Sequence, residues 1–265
     1  MSARVGDGSV AGLRGWFSAR RWCAAVVAVV VGGVPLVTAA HASAAHPSAA
    51  HALAAVGYQV TRTIPVGFDP GGVAVDAAAR TVYVANAGDG TVSVINAVTG
   101  TVIRTIDVGR HPAAVAVDAA ARTVYVANAG DGTVSVINAV TGTVIRTVDV
   151  GDGPDAVTVD RATRTVYVAN YFDRTVSVIV EAARTAKGTI WVGRHPDAVA
   201  VDRATHTVYV ANFGDDTVSV INEATGTVTR TVDVGADPDA VAVDRGTHTA
   251  YVTNWWDNSV SVISP

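Results

Sequence analysis

The tetrapeptide Tyr-Val-Ala-Asn recurs at a fixed interval of 42 residues and limits the folds open to this chain more than any other feature. A period of this length indicates one supersecondary unit copied in series, because each unit must bury its apolar face against the next. We therefore expect five equivalent units. The five copies, the last with Thr in place of Ala, begin at Tyr83, Tyr125, Tyr167, Tyr209 and Tyr251.

Each unit contains four short runs rich in Val, Ile, Thr and Tyr, separated by Gly, Asp, Asn or Pro, and such runs predict four strands, A to D. Strands A and B are apolar on both faces, which predicts sheets sandwiched between other sheets. Strand D carries more polar residues and should lie outermost. In the first unit the runs are residues 72–76, 81–86, 91–96 and 101–108.

Antiparallel four-stranded units with this period and no helical segment indicate a β-propeller. A solenoid is the alternative, but its ends need caps, and the sequence shows none. Residues 58–66 have the pattern of a lone D strand, and residues 259–263 that of a C strand. The sequence thus predicts an all-β propeller of five four-stranded antiparallel blades, with the N-terminal strand completing the last blade. An open ring that closes by pairing between chains is the competing possibility.

In each unit the Tyr-Val-Ala/Thr-Asn motif is followed by Thr-Val-Ser-Val-Ile-Asn or a close variant and preceded by Val-Gly-x-x-Pro. With these motifs the chain resembles the YVTN β-propeller family of surface-layer and exported proteins, over all of residues 58–265. Members of that family more often form seven-bladed rings. The resemblance implies an exported binding or surface protein more than a defined reaction, although related propellers include lactonase-like enzymes.

The N-terminal region has a different composition. Four arginines precede an apolar run at residues 23–37, and small residues after it offer cleavage sites at 40–42 or 42–44. This pattern predicts a secretory signal peptide over residues 1–42, followed by an Ala-rich linker at 43–57. An uncleaved anchor is the alternative, but the run is short for a span of about 20 residues. Arg20 and Arg21 leave twin-arginine export open.

Export makes the protein secreted or surface-bound, with no stable membrane span after cleavage. The sole cysteine, Cys23, leaves with the signal, so the mature chain has no disulfide or thiolate metal site. Cleavage removes four of 19 Lys and Arg and one of 23 Asp and Glu, leaving a net charge of −7. We therefore expect no nucleic-acid partner, and we expect a monomer.

Residues that recur in every unit should serve the scaffold, whereas residues of a single site need not recur. One Asn and two Asp recur in all five units, and we interpret them as turn and strand-end residues that bond nearby backbone, rather than as calcium ligands. The three sets are Asn86, Asn128, Asn170, Asn212 and Asn254; Asp89, Asp131, Asp173, Asp215 and Asp257; and Asp76, Asp118, Asp160, Asp202 and Asp244.

The two positions after each motif Asn vary strongly. They are Ala and Gly in the first two units and mostly aromatic in the last three. The B–C loop and the loop from strand D to the next strand A should share one end of the propeller, which we call the top face. Exposed aromatic residues there favour a binding surface, although packing over neighbouring blades would also explain them. The aromatic residues are Tyr171, Phe172, Phe213, Trp255 and Trp256.

A second variable position precedes each recurring proline, on the loops expected nearest the channel. Two His and two Asp there would suit a divalent metal if they converged, but separate loop residues explain them better, and we predict neither a metal nor another cofactor. Arg110 and Arg194 lie one residue earlier and could meet an anionic group. The position is occupied by Asp69, His111, Gly153, His195 and Asp237.

No nucleophile elbow, phosphate-binding loop or zinc-helix motif is present, and we identify no catalytic residue. The sequence favours an exported, non-enzymatic module that binds a ligand, a cell-surface glycan or a protein through its top face. The alternative is a lactonase-like hydrolase or lyase with a metal at the channel mouth.

Overall fold

The computed structural model describes residues 59–182 and 185–265, and in these ranges its regular secondary structure consists of β-strands. The predicted signal peptide, the linker and Tyr58 lie outside the described residues. No described helix is long and apolar enough to cross a bilayer. The strands are β1 (Pro70–Asp76), β2 (Thr81–Asn86), β3 (Thr91–Asn96), β4 (Thr101–Asp107), β5 (Pro112–Asp118), β6 (Thr123–Asn128), β7 (Thr133–Asn138), β8 (Thr143–Asp149), β9 (Pro154–Asp160), β10 (Thr165–Asn170), β11 (Thr175–Val180), β12 (Thr185–Trp191), β13 (Pro196–Asp202), β14 (Thr207–Asn212), β15 (Thr217–Asn222), β16 (Thr227–Asp233), β17 (Pro238–Asp244), β18 (Thr249–Asn254) and β19 (Ser259–Ile263).

These strands form five antiparallel sheets, one for each sequence repeat. Strands β1–β4, β5–β8, β9–β12 and β13–β16 make blades 1 to 4, and β17–β19 make blade 5. Strands pair in sequence order within every blade, as expected when short turns join neighbouring antiparallel strands. The all-β propeller with five blades is confirmed.

The blades pack face to face, and the core lies between them. The first cluster joins Tyr83, Val92, Val94 and Ile106 of blade 1 to Val115, Val117, Val124, Val126 and Ile137 of blade 2. We call the surface of a blade that carries the residues equivalent to Tyr83 its tyrosine face. The opposite surface, which carries the residues equivalent to Val115, is its valine face. Corresponding clusters join blades 2 and 3, 3 and 4, and 4 and 5. Each fully buried Val or Ile side chain contributes about 1.5–3 kcal/mol.

The five blades form an open arc within the described residues. The inner strands β1, β5, β9, β13 and β17 contact one another in that order, but β17 and β1 do not pack together as neighbours. The outer-facing side of blade 1 and that of blade 5, at the two ends of the arc, are therefore not covered by another described blade. Val73 of blade 1 is 45% exposed and its counterpart Val115 of blade 2 only 6%, although residues 73–105 and 115–147 have the same sequence.

The prediction that the N-terminal strand completes the last blade is wrong in this structure. Blade 5 has three strands, and no strand is assigned to residues 59–69. This segment lies instead beside blade 1, where the Arg62 guanidinium donates to the carbonyl oxygen of Thr99. Arg104 of blade 1 makes the same bond to Thr141 of blade 2. The segment thus occupies the place of strand D of a blade preceding blade 1, and it does not pair with β19.

Candidate functional site

The top face is built from two sets of loops that hydrogen-bond to each other. In blade 2 the amides of Ala129 and Gly130, in the B–C turn, donate to the carbonyls of His111 and Arg110 in the loop before strand A. The same pair of bonds recurs at the other blades. The predicted placement of these two loops at one end of the propeller agrees with this pairing.

The motif asparagines belong to the scaffold. The side-chain amide of Asn128, which is fully buried, donates to the hydroxyls of Thr133 and Ser135, each at 3.0 Å. All five motif asparagines make this pair of bonds across the B–C hairpin. The sequence interpretation had backbone as the partner, whereas the partners are mainly hydroxyl groups of strand C. Hydroxyls suit the position because strand C presents Thr and Ser beside the end of strand B.

The two recurring aspartates bond backbone, as the sequence interpretation states. Asp131 accepts a bond from the Arg110 amide at 2.6 Å and so ties the B–C turn to the loop before strand A. Asp118 accepts from the amides of Ala120 and Ala121 in the turn at the opposite end. Equivalent bonds recur in the other blades, so both sets act as turn residues.

The two aromatic positions after each motif Asn point in different directions. Tyr171 occupies the first position and is 3% exposed, because its ring stacks on His195 of the next blade at 4.5 Å between centroids. Phe213, at the same position in blade 4, is half-buried. Phe172 occupies the second position and is 47% exposed, with its ring edge-on to Tyr171 at 5.1 Å. Packing rather than binding therefore accounts for Tyr171.

In blade 5 both positions are exposed. Trp255 is 55% and Trp256 68% exposed, and their ring centroids lie 5.9 Å apart. Trp255 corresponds to the buried Tyr171, and its exposure follows from the open end of the arc, where no next blade covers it. Trp256 corresponds to Phe172, which stays exposed inside the arc. Among the aromatic residues that follow a motif Asn, the outward ones are thus Phe172 and Trp256, with Trp255 beside the latter.

Arg110 and Arg194 are held by their own loops. The Arg194 Nε donates to the Asp215 carboxylate at 2.5 Å, and Arg110 makes the same ion pair with Asp131. The Arg110 amide and guanidinium lower the pKa of Asp131. Desolvation opposes the charge on Asp215, but the bonds from Arg194 outweigh it and lower the pKa of that carboxyl. Both arginine side chains remain more than half exposed, so each can still meet an anion.

The His and Asp residues before the prolines serve loop geometry. Asp69, His111, His195 and Asp237 all have positive φ, between 47° and 54°, a conformation in which Asp, His and Gly are enriched. Gly153 has φ 60°, and Phe172 fills the space that a side chain there would need. Within the described residues, the group of His and acidic side chains close enough to hold an ion does not include any of them.

That group, Asp160, His206 and Glu223, lies at the opposite end of the propeller. Their donor atoms lie within 4.8 Å of one another. The Arg203 Nε lies 3.4 Å from the Asp160 carboxylate, and His206 Nδ1 lies 3.3 Å from the Glu223 carboxylate. Desolvation raises the pKa of Glu223, and Asp160 raises it further. With an arginine already against Asp160, the group forms a charged seam between blades 3 and 4.

A related seam joins blades 2 and 3. The Tyr125 hydroxyl donates to the buried Glu181 carboxylate at 2.9 Å. Sequence reasoning did not single out Glu181 or Glu223. A comparison of the repeats carries the signal, because both replace the Ala that follows strand C in blades 1 and 2, Ala97 and Ala139.

A groove of about 460 Å³ lies between blades 3 and 4, on the outer side. Trp191, at the end of β12, lines it together with Arg174 and the hydroxyl side chains of blade 4. In the register of strand D, Gly188 stands where blades 1, 2 and 4 have Arg104, Arg146 and Arg230. Trp191 thus lies exposed on strand D, the outer strand of blade 3.

Comparisons with known proteins bear on the fold. A family model of YNCE-like β-propellers matches residues 48–152. Among solved structures, Kuenenia stuttgartiensis hydrazine synthase superposes with a TM-score of 0.66 at 22% identity, over 74% of this chain. The match covers 59% of that protein's chain, and at this identity it shows a shared fold. No curated protein sequence matches this chain. The five Tyr-Val-Ala/Thr-Asn repeats, their folding into five antiparallel blades and the YNCE-like match over residues 48–152 support a β-propeller of the YVTN type.

Proposed function

We propose that this chain is an exported, non-enzymatic binding module that holds a cell-surface glycan or protein on its top face. The observation that carries the proposal is the exposure of Phe172 and Trp256 at a position where blades 1, 2 and 4 have Gly. The scaffold does not require bulk there. Large exposed aromatic side chains lose contact with water favourably when a partner covers them, and they commonly anchor binding sites.

The surroundings of the aromatic residues support the same function. Trp255 lies next to Trp256 and widens the apolar surface at the end of the arc. Arg110 and Arg194 lie on loops of the same face and supply positive charge on an acidic protein. An apolar patch with charged groups nearby is typical of a site for a ligand with both apolar and polar faces.

Binding and melting measured on the same variants test the proposal. We expect Trp256→Ala and Phe172→Ala to weaken binding to cell-wall preparations by about 30-fold or more, the effect of losing a hot-spot side chain. The melting temperature should change little for Trp256→Ala, whose ring is 68% exposed, and more for Phe172→Ala, whose ring also packs edge-on against Tyr171. Val98→Ala is the control, since Val98 is 64% exposed but lies in the turn between strands C and D of blade 1, at the opposite end of the propeller. Loss of stability with unchanged binding per folded molecule would refute the proposal.

A further inference from the structure

The two ends of the arc expose opposite faces of the same interface. Blade 1 exposes its valine face, on which Val73 and Val75 are 45% and 44% exposed. Blade 5 exposes its tyrosine face, on which Tyr251 and Val262 are 44% and 59% exposed. We propose that the chain associates head to tail with a second copy of itself, with the tyrosine face of blade 5 packed on the valine face of the partner's blade 1.

The interior of the molecule shows that these faces fit. The tyrosine face of blade 4 packs on the valine face of blade 5 through Tyr209, Val218, Val241 and Val243. In blades 5 and 1 the equivalent residues are Tyr251 and Val260, and Val73 and Val75, so the same side-chain types meet at these four positions, while Thr253 stands where blade 4 has the buried Ala211. This interface forms four times within the described residues. A contact between copies would be its fifth occurrence.

The strand edges point to the same partner. Blade 5 ends at β19, which has no fourth strand beside it in the described residues. In blade 1, Val92 and Val94 of β3 pair with Ile106 and Arg104 of β4. Ile64 and Arg62 stand 42 positions, one repeat, before Ile106 and Arg104. They lie against blade 1 in the same way that β4 lies against blade 2, because Arg62 and Arg104 make equivalent bonds to the next blade.

When a second copy packs its blade 1 on blade 5, it therefore brings its residues 59–66 alongside β19. Ile64 would meet Val260, and Arg62 would meet Val262, in the register of the other blades. Pairing there satisfies the backbone groups of an exposed edge strand and completes the fourth strand of blade 5. The interface is thus a packed face and an added strand together.

The top face continues this interface. Tyr171 is covered by His195, on the loop that begins the next blade. Trp255 occupies the position of Tyr171 at the open end, and the residue at the position of His195 in blade 1 is Asp69. A second copy would place that loop over Trp255 and leave Trp256 exposed. Because this contact joins different surfaces, it can repeat, and association should extend beyond a pair.

Sedimentation of the full chain, purified in the form that the host releases, tests the proposal. We expect the mass of the wild-type protein to rise with concentration from one chain to two and more, up to about 1 mM. Val75→Glu blocks the valine face of blade 1, and Val262→Glu blocks the tyrosine face of blade 5. Each variant alone should remain a single chain, because a buried unpaired charge opposes the contact.

An equimolar mixture of the two variants is the decisive sample. One intact face remains on each chain, so the mixture should form a pair of chains and stop there. Val140→Glu is the matched control, since Val140 is 64% exposed on a turn and should leave association unchanged. Circular dichroism of every variant checks folding, and Val73→Glu with Val260→Glu provides a second pair.

Three results would overturn the proposal. A wild-type chain that stays single at every concentration would show that its own residues, or nothing, cover the two faces. Association that persists in both single variants would place the contact elsewhere. A mixture that fails to pair, although both variants are folded, would show that the two faces do not bind each other.

Discussion

Val73 and Val115 allow one substitution to be compared in two environments with the same local sequence. Each is the first residue of an identical 33-residue stretch, but Val115 is packed between blades 1 and 2, whereas Val73 faces outward at the end of the arc. Any difference between Val115→Ala and Val73→Ala must therefore come from the tertiary environment.

The burial of the two valines sets how much free energy of unfolding each substitution should remove. Val115→Ala removes two buried methyl groups, worth about 0.8 kcal/mol each, and leaves a cavity that adds a further term. We expect a loss of about 2–3 kcal/mol in the free energy of unfolding. Val73→Ala removes the same groups from a surface that is 45% exposed, and it should cost less than about 0.5 kcal/mol.

Urea unfolding followed by circular dichroism measures both losses, with dilute protein so that copies do not cover the end faces. The shift of the midpoint should be several times larger for Val115→Ala. Equal losses at the lowest concentration would refute the reasoning, because they would mean that residues of the same chain bury Val73 and that the arc is closed.

Further predictions concern the scaffold, the buried carboxyl and the outer strand. Asn86→Ala and Asn128→Ala should each lower the free energy of unfolding by about 1–3 kcal/mol, since each side-chain amide donates to two hydroxyls in a buried site. Urea unfolding measures this loss, and two variants as stable as the wild type would contradict the structural role of the motif Asn. Desolvation raises the pKa of the Glu181 carboxyl above 4.5, so the folded state holds this proton more tightly than the unfolded state does. The stability that this gives is present below about pH 4.5 and is lost as the pH rises through the pKa of the folded state. Glu181→Gln keeps the acceptor for the Tyr125 hydroxyl and should melt higher than the wild type at neutral pH; a gap that fails to shrink toward pH 4.5 would contradict this. Gly188→Ala should stabilise the chain by about 0.5–1 kcal/mol, because Gly188 lies inside a strand with open space around it, and a lowered melting temperature would count against this.

The sequence alone determined the blades. Its 42-residue period, its apolar strands and its turn residues are local properties, and each repeat carries all of them. Strand order, hairpin register and the structural role of the motif Asn follow, because antiparallel pairing through short turns is decided within one repeat. The positions of the variable aromatic residues on the top face could be predicted for the same reason.

The tertiary structure decided the features that depend on how one blade packs on the next. The angle between packed blades sets how far five of them extend around the axis, and no single repeat encodes whether the ends meet. The same relation buries Tyr171 beneath His195 and leaves Trp255 uncovered, although both follow a motif Asn. It likewise buries Val115 and exposes Val73 in identical sequence. Burial is a property of the neighbouring blade, and a blade at the end of the arc has a neighbour on one side only.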